Sequence, residues 1–501
     1  MKALLVYPFY PETFWSFRYA LKFLNKKATH PPLGLLTVAS LLPSDWELKL
    51  IDLNVQPLNT EMIEWADFIF ISAMSVQRDS AEKIITLSKK FNKKIIAGGP
   101  LFTAFWQDFV NKVDHLILNE AEITLPLFLR DLNEGNPKKI YQTKEFADIT
   151  KSPLPAYHLI NLRDYTTMCI QYSRGCPFNC EFCDVTNLFG HKFRTKTKDQ
   201  ILKELENLYK LGWRGSVFFV DDNFIGGKRK VKEEILPDLI EWQKAHNYPF
   251  YFYTQVSINL ADDEELMDLM VNAGFNSVFI GIETPYQASL EEANKVQNKN
   301  RDLVKDVRKI QKFGLEVMGG FIVGFDNDPI NIFDLIIKFV KESKIVIAMV
   351  GLLNAPPGTR LYKRLEKEGR INPLFKGNNT DFSTNILPKM SYQTLIQGYK
   401  KIIRELYKTE NYYKRIETFL KDFHPKIKFK LDKNYLKVNY GYILGLPKIF
   451  LKFGFIEKNR MKFWKILSHT LIKKPQAFFI ILAQIVSGYH FRKIFYQAFK
   501  D

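Results

Sequence analysis

The sequence predicts an α/β protein in three parts: an open, doubly wound parallel sheet, an incomplete six-unit β/α barrel, and a basic, mainly helical extension. Three observations predict it. Short apolar runs alternate with helical patterns in two series, one within residues 1–130 and one within 166–370. Three of the chain's 4 cysteines follow the first run of the second series. The net charge of +18 is segregated, since residues 401–501 hold 22 Lys and Arg against 7 Asp and Glu.

The first series comprises Ala3–Tyr7, Leu48–Leu53, Phe68–Ser72, Lys94–Ala97 and His115–Leu118, each closed by turn residues or charge. Ligands of doubly wound sheets bind at the carboxyl ends of the strands. Tyr7, Asp52, Leu53, Ser72, Met74, Gly98, Gly99, Pro100 and Glu120 therefore become candidate ligand contacts. No G-x-G-x-x-G follows the first run, which weakens a dinucleotide reading. Met1–Pro8 reads as a strand, not a secretory leader, and no apolar run reaches about 18 residues, so no membrane span is expected. Residues 131–165 are expected to be a linker, because Gly135, Pro137, Pro153 and Pro155 break periodicity.

The second series comprises Met168–Tyr172, Ser216–Asp221, Tyr251–Val256, Ser277–Glu283, Val317–Gly324 and Val346–Leu353, with helical patterns such as Asp199–Leu211 and Asp263–Ala273 between. In α/β barrels the chemistry sits at the carboxyl strand ends. The loop after the first of these strands carries Cys176, Cys180 and Cys183 in C-x3-C-x2-C spacing. Three thiolates can hold three irons of a cubane and leave the fourth open to a ligand. A structural zinc site normally closes with four ligands, and no second cysteine pair is present. Cys169, in Met168-Cys169-Ile170, reads as a buried strand residue, and His191 is weighed as a lone structural histidine. So few cysteines make no disulfide framework, which fits a reducing, cytoplasmic setting.

With Phe182 directly before the third cysteine, this run resembles the radical S-adenosylmethionine (SAM) enzymes. The resemblance implies a [4Fe–4S] cluster on Cys176, Cys180 and Cys183, with SAM chelating the open iron and Phe182 beside the adenine. The cluster then cleaves SAM to methionine and a 5′-deoxyadenosyl radical. Asp221, Asp222 and Asn223 stand where the family's Gly-Gly-Glu element meets the SAM amino group. Gln255 and Glu283 suit the ribose and amino group, and Gly320 and Phe321 approach the adenine. Ala355-Pro356-Pro357-Gly358-Thr359 is similar to a Pro-Gly-Thr turn of the same subgroup.

Residues 1–130 resemble the Rossmann-like cobalamin-binding domain that precedes many such barrels. The resemblance rests on His30-Pro31-Pro32-Leu33-Gly34-Leu35, on Gly98-Gly99-Pro100, and on Asn119-Glu120-Ala121-Glu122, where Asn replaces the usual Gly. It assigns the strand-end residues named above to cobalamin. Asn54 occupies the place of a lower axial histidine, so no histidine of that motif would ligate cobalt. In residues 371–501, Asn385–Ser391 and Tyr412–Ile416 resemble the extension of hopanoid methylases and tetraether-lipid ring synthases.

The implied function is cobalamin-dependent methylation of an unactivated carbon in a hydrophobic, lipid-like substrate, fed by an external electron donor. A radical ring or carbon–carbon bond formation without methyl transfer is the alternative within the same chemistry. A cluster-containing electron-transfer or RNA-binding protein is the alternative outside it. No acid–base pair stands out. In the tail, Phe450–Ile466 and Pro475–Phe491 mix basic with aromatic and aliphatic residues. That pattern suits a peripheral helix on an anionic inner membrane face. Nucleic acid is not expected, because the apolar content is aliphatic and Phe-rich. A helix docked on the barrel is the remaining reading.

Overall fold

The structure, a computed structural model, describes residues 1–372, 375–378, 380–426, 429 and 433–498. The first sheet contains β1 (Lys2–Tyr7), β2 (Glu47–Asp52), β3 (Phe68–Ser72), β4 (Lys94–Gly98), β5 (His115–Ile117) and β6 (Ile140–Tyr141), ordered β2-β1-β3-β4-β5-β6 and wholly parallel. Both faces are buried: Leu4, Val6, Ile69 and Ile71 pack into one core, and Leu5, Phe68, Phe70 and Ile96 into the other. Runs apolar on both faces are what a doubly covered parallel sheet requires. The strand order reverses at β1 and β3, so the crevice opens above Tyr7 and Ser72. β6 lies inside the stretch expected as a linker. The buried Tyr141 on it donates its hydroxyl to Asp131 at 3.0 Å.

The second sheet begins at β7 (Met168–Ile170). The short antiparallel pair β8 (Ser173–Arg174) and β9 (Arg194–Thr195) then frames the cysteine loop. Next come β10 (Gly215–Phe219), β11 (Phe250–Gln255), β12 (Phe275–Glu283), β13 (Glu316–Val323) and β14 (Ala348–Leu352), in parallel order β7-β10-β11-β12-β13-β14. Strand parity divides the aromatics. Phe219, Phe252 and Phe275 pack together on the helix side, with ring centroids 5.2–5.3 Å apart. Phe218 and Tyr253 stack at 4.5 Å on the inner side. The intervening helices start at side-chain caps: Thr197 accepts from the Gln200 N–H and Asp263 from the Leu266 N–H.

β7 and β14 do not pair, so the barrel is open. An exposed strand edge invites further pairing. Here side chains cover it. Tyr399 donates its hydroxyl to the Val350 carbonyl at 3.0 Å, Tyr407 donates to Ala348, and Arg415 to Val346 at 3.3 Å. The donors lie on helices Tyr392–Tyr407 and Thr409–Asp422, and they meet two carbonyls of β14 and that of Val346 just before it.

The last helix, Phe478–Ala498, bears on one expectation. The sequence allows Pro475–Phe491 to lie on a membrane surface or to dock on the barrel, and burial of Ile481, Ile485, Phe491 and Phe495 fits a docked helix. Phe14 meets Phe491 and Phe495 edge-on at 5.4 and 5.1 Å. The polar residues that interrupt the apolar run have internal partners. Gln484 donates to Glu316 at 2.7 Å, and His490 Nε2 lies 3.2 Å from the Thr13 and Phe14 carbonyls. No helix among the described residues is long and apolar enough to cross a membrane.

Candidate active site

The cysteine loop is held by its own backbone. Gly175 has φ 87°, and a Cβ there would meet the Lys192 carbonyl at 2.5 Å, so only glycine fits. The Cys176 N–H donates to the Gly190 carbonyl and the Cys183 N–H to the Cys180 carbonyl. Between them, Glu181 makes two hydrogen bonds with Arg364 at 2.8 and 3.0 Å, fastening the loop to the helix Arg360–Lys367. Burial pushes the Cys176 and Cys183 thiols up, so thiolates here need a metal to stabilise them. Among the described residues no three thiols, imidazoles or carboxylates converge on a single-ion site.

Sequence reasoning missed two neighbours of this loop, since no motif marks them. Lys295 reaches Glu283 at 2.7 Å and stands 5.9 Å from the Phe182 ring centre. Gln297 donates Nε2 to Cys180 Sγ at 3.7 Å, while its buried Oε1 has no partner among the described residues. Hydrogen bonds to cluster sulfurs help set reduction potential. Gln297→Leu is therefore expected to shift the cluster's midpoint potential to a more negative value, measured by spectroelectrochemical titration, with iron content unchanged.

The barrel strand ends separate the predicted SAM contacts. Asp221 is turned away from the cleft: it accepts from the Tyr172 N–H at 3.2 Å and from the backbone and hydroxyl of Ser173, tying β10 to β7. Asn223 is also turned away, accepting from the Ser257 N–H at 3.1 Å. Both are corrections, and the reason is that their acceptor atoms are spent on the chain itself. Asp222 is different. No cation pairs with it among the described residues, and burial, then Asp221 and Asp184, push its carboxyl up to about 7. A half-buried carboxylate with no direct ion pair, acted on only at longer range by Arg174, fits a ligand's ammonium group.

Gln255 ends β11 facing inward. Glu283 ends β12 at φ 63°, a left-handed conformation rare outside glycine. At Gly320 a Cβ would meet the Phe279 ring at 2.8 Å, so the bare backbone lets Phe279 pack across the inner wall. Phe321, the next residue, points outward and lies edge-on to Phe339 at 5.8 Å. The adenine assignment of Phe321 is thus corrected by strand parity. Ile322 faces inward instead and packs with Phe182 and Phe325. Phe321→Ala is expected to cost about 3–5 kcal/mol of stability, read by urea denaturation, and to leave the KM for SAM unchanged.

At the first sheet, Tyr7 and Tyr10 share a hydrogen bond at 3.0 Å, and the Tyr10 hydroxyl reaches Met74 Sδ at 2.7 Å. Met74 is 47% exposed at the crevice. A Cβ on Gly99, φ 89°, would meet Ser72 Oγ at 2.8 Å, and one on Gly98 the Ile117 carbonyl at 2.7 Å. Pro100 then opens the helix Pro100–Ala104. Both glycines are required by the chain's own packing, and this half-buried strand end of small residues beside the exposed Met74 fits a large, flat cofactor such as cobalamin.

Three predicted contacts do not join this floor. The Asp52 carboxylate accepts from the Asn54 side chain at 2.7 Å and from the Tyr165 hydroxyl at 3.0 Å. Leu53 packs against the sheet core. Glu120 is taken up by Arg174 at 2.7 Å, Arg194 at 3.0 Å and the Ala147 N–H at 2.8 Å. Arg174 also holds Glu122 at 2.7 Å and immediately precedes Gly175-Cys176. The acidic strand-end element is thus a clamp between the first sheet and the cysteine loop. The two halves meet again where Trp15 lies 5.3 Å from Phe279, and where His30 Nε2 lies 2.6 Å from the Tyr253 hydroxyl.

This geometry has counterparts. Residues 23–129 match the B12 binding domain, residues 170–340 the Radical SAM superfamily, and residues 359–501 a domain of unknown function, DUF4070. An uncharacterized methyltransferase of Synechocystis sp. is 42% identical over 98% of this chain and 91% of its own. The hopanoid C-2 methylase of Rhodopseudomonas palustris is 32% identical over 94% and 90%. The radical SAM methyltransferase TsrM of Kitasatospora setae, solved with cobalamin and a [4Fe–4S] cluster, shares the fold. Its TM-score is 0.58 at 15% identity, over 73% of this chain and 78% of that one. SAM, an iron–sulfur cluster and cobalamin are the cofactors these domains use. A B12 domain ahead of a radical SAM barrel, and relatives aligned along almost the whole length, lead to one assignment: the chain belongs to the cobalamin-binding radical SAM methyltransferases.

Proposed function

We propose that this enzyme methylates an unactivated carbon of a hydrophobic, lipid-like substrate held inside the open barrel. One observation carries the reading. The inward positions of β10 to β14 include Phe218, Tyr253, Phe279, Met318 and Ile322. This wall is largely apolar, and Asp222 and Glu283 stand at its carboxyl rim. The similarity to a hopanoid C-2 methylase supports a lipid in that space.

When bound, SAM and a [4Fe–4S] cluster supply a hydrogen-abstracting radical, and cobalamin supplies the methyl group. The chain's own part is to orient and to exclude water. Cys176, Cys180 and Cys183 hold the cluster. Phe182, Asp222, Gln255, Glu283 and Gly320 hold SAM, with Asp222 facing its ammonium group. Tyr7, Ser72, Met74, Gly98, Gly99 and Pro100 form the cobalamin floor. Trp15 and Phe279 narrow the passage between the two. An external electron donor would supply the reducing equivalent, and the basic extension brings the enzyme to a membrane periphery.

The test is anaerobic reconstitution with SAM, cobalamin, a reductant and an apolar lipid extract. A product heavier by CH2, formed with 5′-deoxyadenosine, is the expected result. A product lighter by two hydrogens would replace methylation with ring formation. An unchanged lipid profile would sink the lipid reading.

A further inference from the structure

We propose that the helical hairpin spanning residues 440–473 is a docking face for an anionic lipid bilayer. The proposal deepens the lipid-substrate reading and rests on it for its purpose, though not for its geometry.

The first arm runs continuously from Tyr440 through Ile456. Ile443, Leu444, Leu451 and Phe455 recur along it at helical spacing and are 43–63% exposed. At the bend Ile456 is 60% exposed and Met461 76%, and along the return arm Ile472 is 75% exposed. Trp464 joins the two arms: its indole N–H donates to the Gly454 carbonyl at 2.9 Å, and its ring stacks on Phe450 at 5.9 Å. Exposed apolar side chains this numerous and contiguous mark a contact surface. The opposite side of the hairpin is occupied, because Phe453, Phe463, Ile466 and Leu467 are buried in the core.

Charge selects the occupant. Lys448, Lys458, Arg460, Lys462, Lys465 and Lys473 are exposed along the hairpin, Lys448 reaching Asn25 at 2.6 Å and Lys465 pairing with Glu417 at 3.3 Å. The one acidic residue between 440 and 474 is Glu457, and Lys452 pairs with it at 3.3 Å. An aliphatic stripe flanked by lysines matches an interface of acyl chains beneath anionic headgroups. RNA would want aromatic platforms for its bases, whereas the most exposed side chains here are Met461 and Ile472. The hairpin is also tied to the cleft. A Cβ on Gly441 would meet the Leu24 carbonyl at 2.7 Å, so the first arm lies directly on the helix Arg18–Leu24. That helix follows the loop whose Trp15 stands at the barrel mouth.

The test uses the full-length holoenzyme in flotation with vesicles of phosphatidylcholine alone, or with phosphatidylglycerol added. Partition onto the anionic vesicles, weakened by salt, is expected. The variant Phe455→Ser/Ile456→Ser/Met461→Ser changes only exposed side chains and should lose at least tenfold in partition. Lys458→Gln/Arg460→Gln/Lys462→Gln should lose about fivefold per residue on anionic vesicles. Both variants should still form 5′-deoxyadenosine from SAM. No partition by the wild type, or equal partition by the serine variant, overturns the docking face. So does a dimer that the serine variant dissociates, or binding to single-stranded RNA without vesicle partition. Intact partition with no methylated lipid would leave the docking face standing and remove the substrate reading.

Discussion

Cys180→Ala is expected to reduce 5′-deoxyadenosine formation to background while leaving the fold in place. Each of Cys176, Cys180 and Cys183 would hold a separate iron, so no remaining cysteine of the loop can serve twice. The fourth cysteine cannot substitute. Cys169 is buried on β7, its carbonyl accepts the Tyr157 hydroxyl, and burial pushes its thiol up. Apart from the Gln297 contact, the loop's restraints do not pass through Cys180's side chain: Glu181 remains bonded to Arg364, and its N–H still reaches the Ala293 carbonyl at 2.9 Å. Iron content, far-UV circular dichroism and product chromatography on one anaerobic preparation check the prediction. Normal 5′-deoxyadenosine release from the variant would overturn the cluster assignment.

Arg174→Met should be the most damaging single change outside the cysteines. Arg174 is 11% exposed at its side chain, and the Glu120 and Glu122 carboxylates that it bridges are 3% and 9% exposed. Removing one partner of a buried ionic cluster leaves charge without compensation, at a cost of about 3–5 kcal/mol. Glu120 keeps Arg194, so Glu122 bears most of the loss. Adding Glu120→Gln and Glu122→Gln to Arg174→Met should recover much of the stability, because the stranded charges disappear with their partner. Urea denaturation of the three proteins measures this.

The same clamp predicts opposite responses to acid. In the wild type, burial alone would raise the Glu122 carboxyl, but the charge and hydrogen bonds of Arg174, with the Ser152 hydroxyl, hold it at about 2. A depressed folded pKa gives stability that is full above the ordinary carboxylate value of 4.5 and is lost as pH falls toward 2. Without Arg174, burial dominates and the folded carboxyl prefers its proton. The variant should then gain stability as pH falls from about 7 to 5. A variant that keeps the wild-type acid profile would show that Arg174 does not hold Glu122.

The parts of this molecule legible in the sequence were those set by local spacing. The cysteine triplet needs no tertiary information, and strand periodicity located both sheets. Strand ends identified a neighbourhood but not a direction. Asp221, Asp222 and Asn223 are adjacent, yet only Asp222 is left without a partner, because the other two are consumed by Ser173 and Ser257. Phe321 looked like an adenine contact until the register of β13 put Gly320 inward. The Glu120–Arg174 clamp joins residues 54 positions apart, and no local pattern encodes it. The last helix shows the same limit. An apolar run broken by Gln484 and His490 reads alike for a membrane surface and for a core. What decides is whether Glu316 and the Thr13 carbonyl wait opposite.

That helix also has a consequence for how the chain is made. Phe14 leaves the ribosome long before Phe491 and Phe495, yet its ring packs on both. At 5–20 residues per second, synthesis of the intervening chain takes roughly 25–95 s. During that interval the nascent first domain carries an unfilled apolar socket. Its completion waits on synthesis of the helix Phe478–Ala498, so two segments far apart in the chain become ordered together. A ribosome stalled shortly before residue 478 would therefore hold a polypeptide with both sheets already encoded, yet still in need of chaperone protection at its amino-terminal end.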